Sequence, residues 1–147
     1  MKLLVRAALV LASLALGLVL TSCGARGTTL NLAPISQLRE DLQQQPTNVR
    51  EAYQFALANP DTLSKLPCYC GCTAAHRNVK ECFVREVNSD GTIVWDDMGA
   101  SCSVCVDIVR DTMRMLQDGK QLAEIRSVVD QTYSSYGPPT NTEPIAP

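Results

Sequence analysis

The stretch Ser101-Cys-Ser-Val-Cys-Val-Asp-Ile-Val-Arg-Asp-Thr-Met-Arg-Met-Leu-Gln-Asp-Gly119 carries the most regular pattern in this chain. Val104, Cys105, Ile108, Val109, Thr112 and Leu116 recur at the three- and four-residue spacing of one helical face, with charged residues between them. Ser101 stands where a hydroxyl caps a first turn, and Asp118-Gly119 is a closing signal. A helix is therefore predicted from Ser101 to about Gln117. It cannot bury so wide a stripe alone, so neighbouring segments must supply the rest of a core.

Downstream, Gln121 to about Tyr133 repeats the pattern, with Leu122, Ile125, Val128, Val129 and Tyr133 inward. Upstream, Cys82 to Val87 and Thr92 to Trp95 are rich in β-branched and aromatic residues and flank the turn sequence Asn88-Ser89-Asp90-Gly91. They predict a β-hairpin, with Trp95 packing it against the last two helices. A helix over 74–87, with Val79, Cys82 and Phe83 on one face, is the competing reading of the first strand. Earlier still, Thr47 or Asn48 can cap a helix through about Ala58, with Val49, Tyr53, Ala56 and Leu57 on one face and Asn59-Pro60 as its stop. A weaker helix at Ile35 to Gln44 precedes it, and 61–66 can form a turn or two before Pro67.

The predicted fold is mainly α: a small single helical domain over 35–136 with one short β-hairpin and a cysteine-rich loop. Residues 23–34 are small and polar, and 137–147 contain four prolines with Thr and Asn. Such segments bury too little surface to offset their ordering entropy, and a disordered linker and tail are expected.

The first 22 residues read as an export signal. Lys2 and Arg6 form a basic start, and 14 uncharged residues follow from Ala7 to Leu20. A stable membrane span needs about 20 apolar residues. Leu20-Thr21-Ser22-Cys23 has the bulky residue, two small residues and cysteine of a lipobox. The expectation is a lipoprotein cleaved before Cys23 and held on the outer face of the bacterial cell membrane by acyl chains on that sulfur, since two chains suffice for stable anchoring. The 13 Lys and Arg include Lys2 and Arg6, so the chain from Cys23 carries 11 basic and 15 acidic side chains, a formal charge of −4. No basic cluster interleaves with aromatics, which argues against nucleic acid as a partner.

Six cysteines remain, Cys68, Cys70, Cys72, Cys82, Cys102 and Cys105, in a compartment where unoccupied thiols oxidise. Cys68-Tyr69-Cys70-Gly71-Cys72 places sulfur at every second residue, a spacing too short for easy disulfides, and Gly71 lets the backbone curl so that sulfurs converge. Cys102-Ser103-Val104-Cys105 opens the predicted helix, where the macrodipole favours a thiolate. With Cys82 and His76 these form a candidate metal set for zinc or copper. A carboxylate can orient an imidazole from behind, and the sequence does not say which one. Met98, Met113 and Met115 are read as core filling before copper ligands.

Two other readings stay open. All six cysteines can pair into three bridges on an interaction module without metal, each worth about 2 to 4 kcal/mol. Alternatively, Cys102 can attack and Cys105 resolve in thiol–disulfide exchange, although alternating βαβ units are missing. No nucleophile with a base stands out, so no catalytic residue is assigned.

The run Pro67 to Cys72, together with His76, Cys82-Phe83, Val94-Trp95-Asp96 and Cys102/Cys105, resembles the bacterial lipoprotein family named for its Pro-Cys-Tyr-Cys-Gly-Cys motif. The likeness covers about Val49 to Tyr136 and takes in Glu124-Ile125-Arg126, Asp130 and Tyr133. Thr73, Ala74 and Met98 stand where relatives have more glycine and a histidine. The resemblance implies a lipoprotein with a cysteine cluster and names no substrate.

Overall fold

The computed structural model describes residues 29–71 and 75–145, so the signal segment, Cys23 and Cys72 lie outside the described residues. The order is a 3-10 turn (Ile35–Gln37), α1 (Glu40–Gln43), α2 (Thr47–Ala58), α3 (Pro60–Ser64), a second 3-10 turn (Val79–Cys82), β1 (Val84–Val87), β2 (Ile93–Trp95), α4 (Met98–Ser101), α5 (Ser103–Gln117) and α6 (Leu122–Tyr133). The fold is mainly α with one antiparallel hairpin, as the periodicity predicts. Among the described residues, no helix is long and apolar enough to cross a membrane.

The long helices form where expected, but their caps differ. Pro46, not Thr47 or Asn48, precedes α2 in extended conformation, with no side-chain cap. Asn59 breaks α2 at φ −132°, ψ 53°, and its amide caps the Phe55 carbonyl at 2.9 Å. Pro60 then starts α3 at the position where a missing N–H costs least. Ser101 ends α4, and Cys102 takes the N-cap place of α5 without a side-chain cap. At the far end, Gly119 at φ +77° permits the paired bonds Gly119 N–H to Leu116 O, 3.0 Å, and Lys120 N–H to Met115 O, 2.9 Å. This double closure satisfies carbonyls that the last helical turn leaves unbonded.

The core is built by α2, α5 and the segment between them. Cys105, Val106, Ile108, Val109, Thr112 and Met115 of α5 are buried, so Val106 and Met115 take inward places that the predicted stripe gave to Val104 and Leu116, both half-buried. On α6, Ile125, Val129 and Tyr133 are buried, while Leu122 is half-buried and Val128 exposed. Trp95 packs against α2: its ring lies 5.9 Å from that of Tyr53, which also meets Phe83 edge-on at 5.0 Å. The hairpin pairs Val84 with Trp95 and Val87 with Ile93, with a bulge between Val84 and Glu86. Cys82 sits in the 3-10 turn before β1, because the turn from Asn78, whose side chain accepts from Glu81 N–H, uses up the residues that either a longer strand or a helix over 74–87 would need.

The described parts of both flanks, 29–34 and 137–145, depart from the disorder expected of them. Ala33 is buried and exchanges hydrogen bonds with Gln54 of α2: its N–H reaches the Gln54 carbonyl at 3.1 Å and its own carbonyl accepts from Gln54 Nε2 at 2.7 Å. Residues 137–145 form a strap across the cysteine segment. Thr140 N–H donates to the Cys68 carbonyl and Thr140 Oγ1 accepts from Cys68 N–H, both at 2.9 Å. Thr142 Oγ1 donates to Arg77 O at 2.7 Å, and Glu143 pairs with Lys65. Polar side chains that satisfy backbone groups hold this strap, a force that hydropathy does not register.

Candidate metal centre

Three separate elements deliver the sulfurs. Cys68 and Cys70 come from the loop after α3, Cys82 from the 3-10 turn before β1, and Cys102 and Cys105 from the start of α5. Gly71, at φ +82°, turns the chain immediately after Cys70 in a conformation that L side chains rarely adopt. The loop is held from behind by the strap at Cys68, and Tyr69 OH donates to Asp130 of α6 at 2.7 Å. Val79 N–H to Leu66 O, 2.9 Å, fastens the 3-10 turn to the segment before the motif.

The Sγ atoms of Cys68 and Cys105 are 3.0 Å apart, those of Cys68 and Cys70 3.1 Å, and those of Cys70 and Cys105 3.8 Å. Two sets of three ligand atoms each lie within 4.8 Å of one another: Cys68, Cys82 and Cys105, and Cys70, Cys102 and Cys105. The first set is wholly buried; Cys70 and Cys102 in the second are half-buried. Such a cluster of thiols can hold a metal ion. Only sulfur contributes to either set, a donor chemistry that suits soft or borderline ions.

Proximity sorts the thiols. Hydrogen bonds from Cys105 and Cys82 hold Cys68 well below the ordinary thiol range against the opposing effect of burial. Cys105 is pushed far up, first by its hydrogen bond to Cys68, then by its bond to Cys82 and by burial. Cys82 also rises: a hydrogen bond with Cys105 favours its thiolate, but the bond to Cys68, burial and nearby negative charge outweigh it. The cluster therefore favours one thiolate held by hydrogen bonds from neighbouring thiols. Cys105, in the first turn of α5, is raised where a helix N-terminus alone would lower it, with neighbouring sulfur and burial as the causes.

His76 is buried but stands in neither sulfur set. Its Nε2 lies 3.2 Å from Asp96 Oδ2 and 3.3 Å from an Arg85 nitrogen, while Arg85 Nε donates to the same carboxylate at 2.7 Å. Donation from Nε2–H to Asp96 leaves Nδ1 as the acceptor, and Nδ1 is buried with no hydrogen-bond partner among the described residues. Of the seven predicted ligands, then, five sulfurs converge, His76 joins a carboxylate and a guanidinium instead, and Cys72 lies outside the described residues. Arg85 and Thr140 were not singled out from sequence: Arg85 becomes visible only through the hairpin register, and Thr140 only through its bonds to Cys68. Met115 is buried in the core and Met113 packs on it, as the core-filling reading has it.

The family model described as "Protein of unknown function with PCYCGC motif" matches residues 15–145. No curated protein and no solved structure matches the chain.

Proposed function

From a chain that belongs to the PCYCGC family, we propose an extracytoplasmic lipoprotein, acylated at Cys23, that binds zinc or copper through its cysteine cluster as a binding or carrier module. The observation that supports this reading most is the convergence of five sulfurs from three elements into two overlapping sets. A disulfide scaffold needs pairs, whereas Cys105 belongs to both sets and Cys68 has two sulfurs within 3.1 Å. For the anchor, the support is the lipobox Leu20 to Cys23.

Elemental analysis with intact mass, on protein purified from membranes without reductant, tests the metal. Bound zinc or copper, with thiols appearing on chelation, is expected. A metal-free chain whose mass is six protons below the reduced value would establish the disulfide module instead. The anchor has its own test: Cys23→Ala should accumulate as uncut precursor, and mature lipid-free wild-type protein in the medium as the main form would refute the anchor.

A further inference from the structure

Resting on the reading of the cluster as a metal site, we propose that it takes two copper(I) ions, one per sulfur triad, with the Cys105 sulfur bridging them. Cys68, Cys82 and Cys105 form the inner triad and Cys70, Cys102 and Cys105 the outer one. A structural zinc uses four ligands in a tetrahedron. Any four of these five sulfurs would leave the fifth among them, and no imidazole or carboxylate belongs to either set among the described residues. Copper(I) accepts soft thiolates in threefold coordination, and a thiolate sulfur has lone pairs for two metals. Five sulfurs arranged as two triangles with one shared corner therefore match two copper(I) ions better than one zinc.

Charge and access agree with this arrangement. Two copper(I) ions and five thiolates sum to −3, with the five thiol protons passing to solvent and no electron transferred, since copper enters already reduced. The N-terminus of α5, a 15-residue helix that carries Cys102 as N-cap and Cys105 in its first turn, supplies partial positive charge against that excess. The inner triad is fully buried, while a surface cavity of about 260 Å³ reaches Cys102 between Asn48, Ser101, Ser103 and Asp107. The outer ion is the one that a chelator or a receiving thiol protein meets first, and the inner ion leaves after it.

The test titrates the reduced full mature chain with copper(I) under anaerobic conditions, in competition with a copper(I) chelator, and counts ions by native mass spectrometry. Wild type should hold two copper(I) ions and show a copper–copper path in its X-ray absorption spectrum, a measurement that needs no variant. Cys102→Ser should hold one ion that exchanges slowly. Cys82→Ser should hold one that exchanges at least tenfold faster, and Cys105→Ser should lose both at the same chelator concentration. One copper per wild-type chain without a copper–copper path would overturn the bridged pair while leaving a metal site intact. Loss of the second ion on Cys72→Ser but not on Cys102→Ser would overturn the outer triad. Retention of neither copper nor zinc would remove the underlying reading itself.

Discussion

The sulfur cluster and the His76 group are both buried ionisable assemblies, and they manage charge in opposite ways. Around Asp96, a carboxylate meets a guanidinium and an imidazole and also accepts the Met98 N–H at 2.8 Å, so its negative charge is answered from inside the protein. Among the sulfurs, the groups that shift each thiol are other cysteines and burial, with no cationic side chain among the leading causes. Buried charge must be paired, protonated or bound to a metal. The first assembly balances its charge internally, although His76 Nδ1 is left without a partner among the described residues; the second gains most from an added cation. Substitutions in the two regions should therefore respond differently to metal.

The largest effect is expected at the shared sulfur. Structural zinc sites contribute on the order of 10 to 16 kcal/mol in total, so Cys105→Ser should cost several kcal/mol in the metal-loaded protein and little in the metal-free one. Thermal melts with and without chelator check this. Cys70→Ser should follow the same rule with a smaller loss. Equal destabilisation in both forms, together with one newly unpaired thiol, would mean that the cysteine is half of a disulfide and would end the contrast drawn above.

Gly99→Ala should act first on packing, and so destabilise the metal-free protein as well as the loaded one. A Cβ at Gly99 would lie 2.4 Å from Phe83 Cδ1, 2.6 Å from Cε1 and 2.8 Å from the Cys82 carbonyl oxygen. These contacts force α4 away from the segment that presents Cys82. Overpacking of this kind costs about 1 to 3 kcal/mol. Urea denaturation should show this loss already in metal-free protein, and any further loss in the loaded form would measure how far Cys82 is displaced from the cluster.

Thr140→Val tests the strap. Valine keeps the shape but leaves Cys68 N–H without its acceptor, which should cost about 1 to 2 kcal/mol. Metal release to a chelator should also quicken, because the loop bearing Cys68 and Cys70 loses a hold. An unchanged release rate at reduced stability would confine the strap to folding.

What sequence alone reveals follows the kind of force at work. Helices α2, α5 and α6 are legible because apolar side chains at helical spacing drive them, and the convergence of sulfurs is legible only as one of three open readings, favoured because alternating cysteines are poor disulfide partners. The strap is not, since Thr140 and Thr142 are ordered by individual hydrogen bonds to Cys68 and Arg77 that leave no periodic trace. Nor is the place of His76, whose carboxylate partner is 20 residues away and arrives through the hairpin, where Asp96 N–H bonds the Phe83 carbonyl at 3.0 Å. The mutual effect of the thiols escapes sequence for the same reason: it depends on distances between segments.

The smallest expected effect concerns Asp96 and appears only as pH falls. Burial works to raise its pKa, but the bonds from Met98 N–H, His76 and Arg85 prevail and hold it below the ordinary value of 3.8. A carboxyl depressed in the folded state contributes stability above its unfolded pKa and loses that contribution as pH falls through the folded value. Metal-free wild type should therefore lose stability progressively below about pH 4, and Asp96→Asn, which cannot titrate, should lose less over the same interval. Glu81, also depressed by its bonds with Arg77 despite burial, remains in both proteins and supplies a common slope. The difference between the two melting curves thus isolates Asp96: largest near neutral pH and shrinking as acid is added. A gap that stayed constant from neutral pH to pH 2 would show that Asp96 serves by shape rather than charge, and would dissolve the distinction between a charge-balanced node and a cluster that calls for a metal.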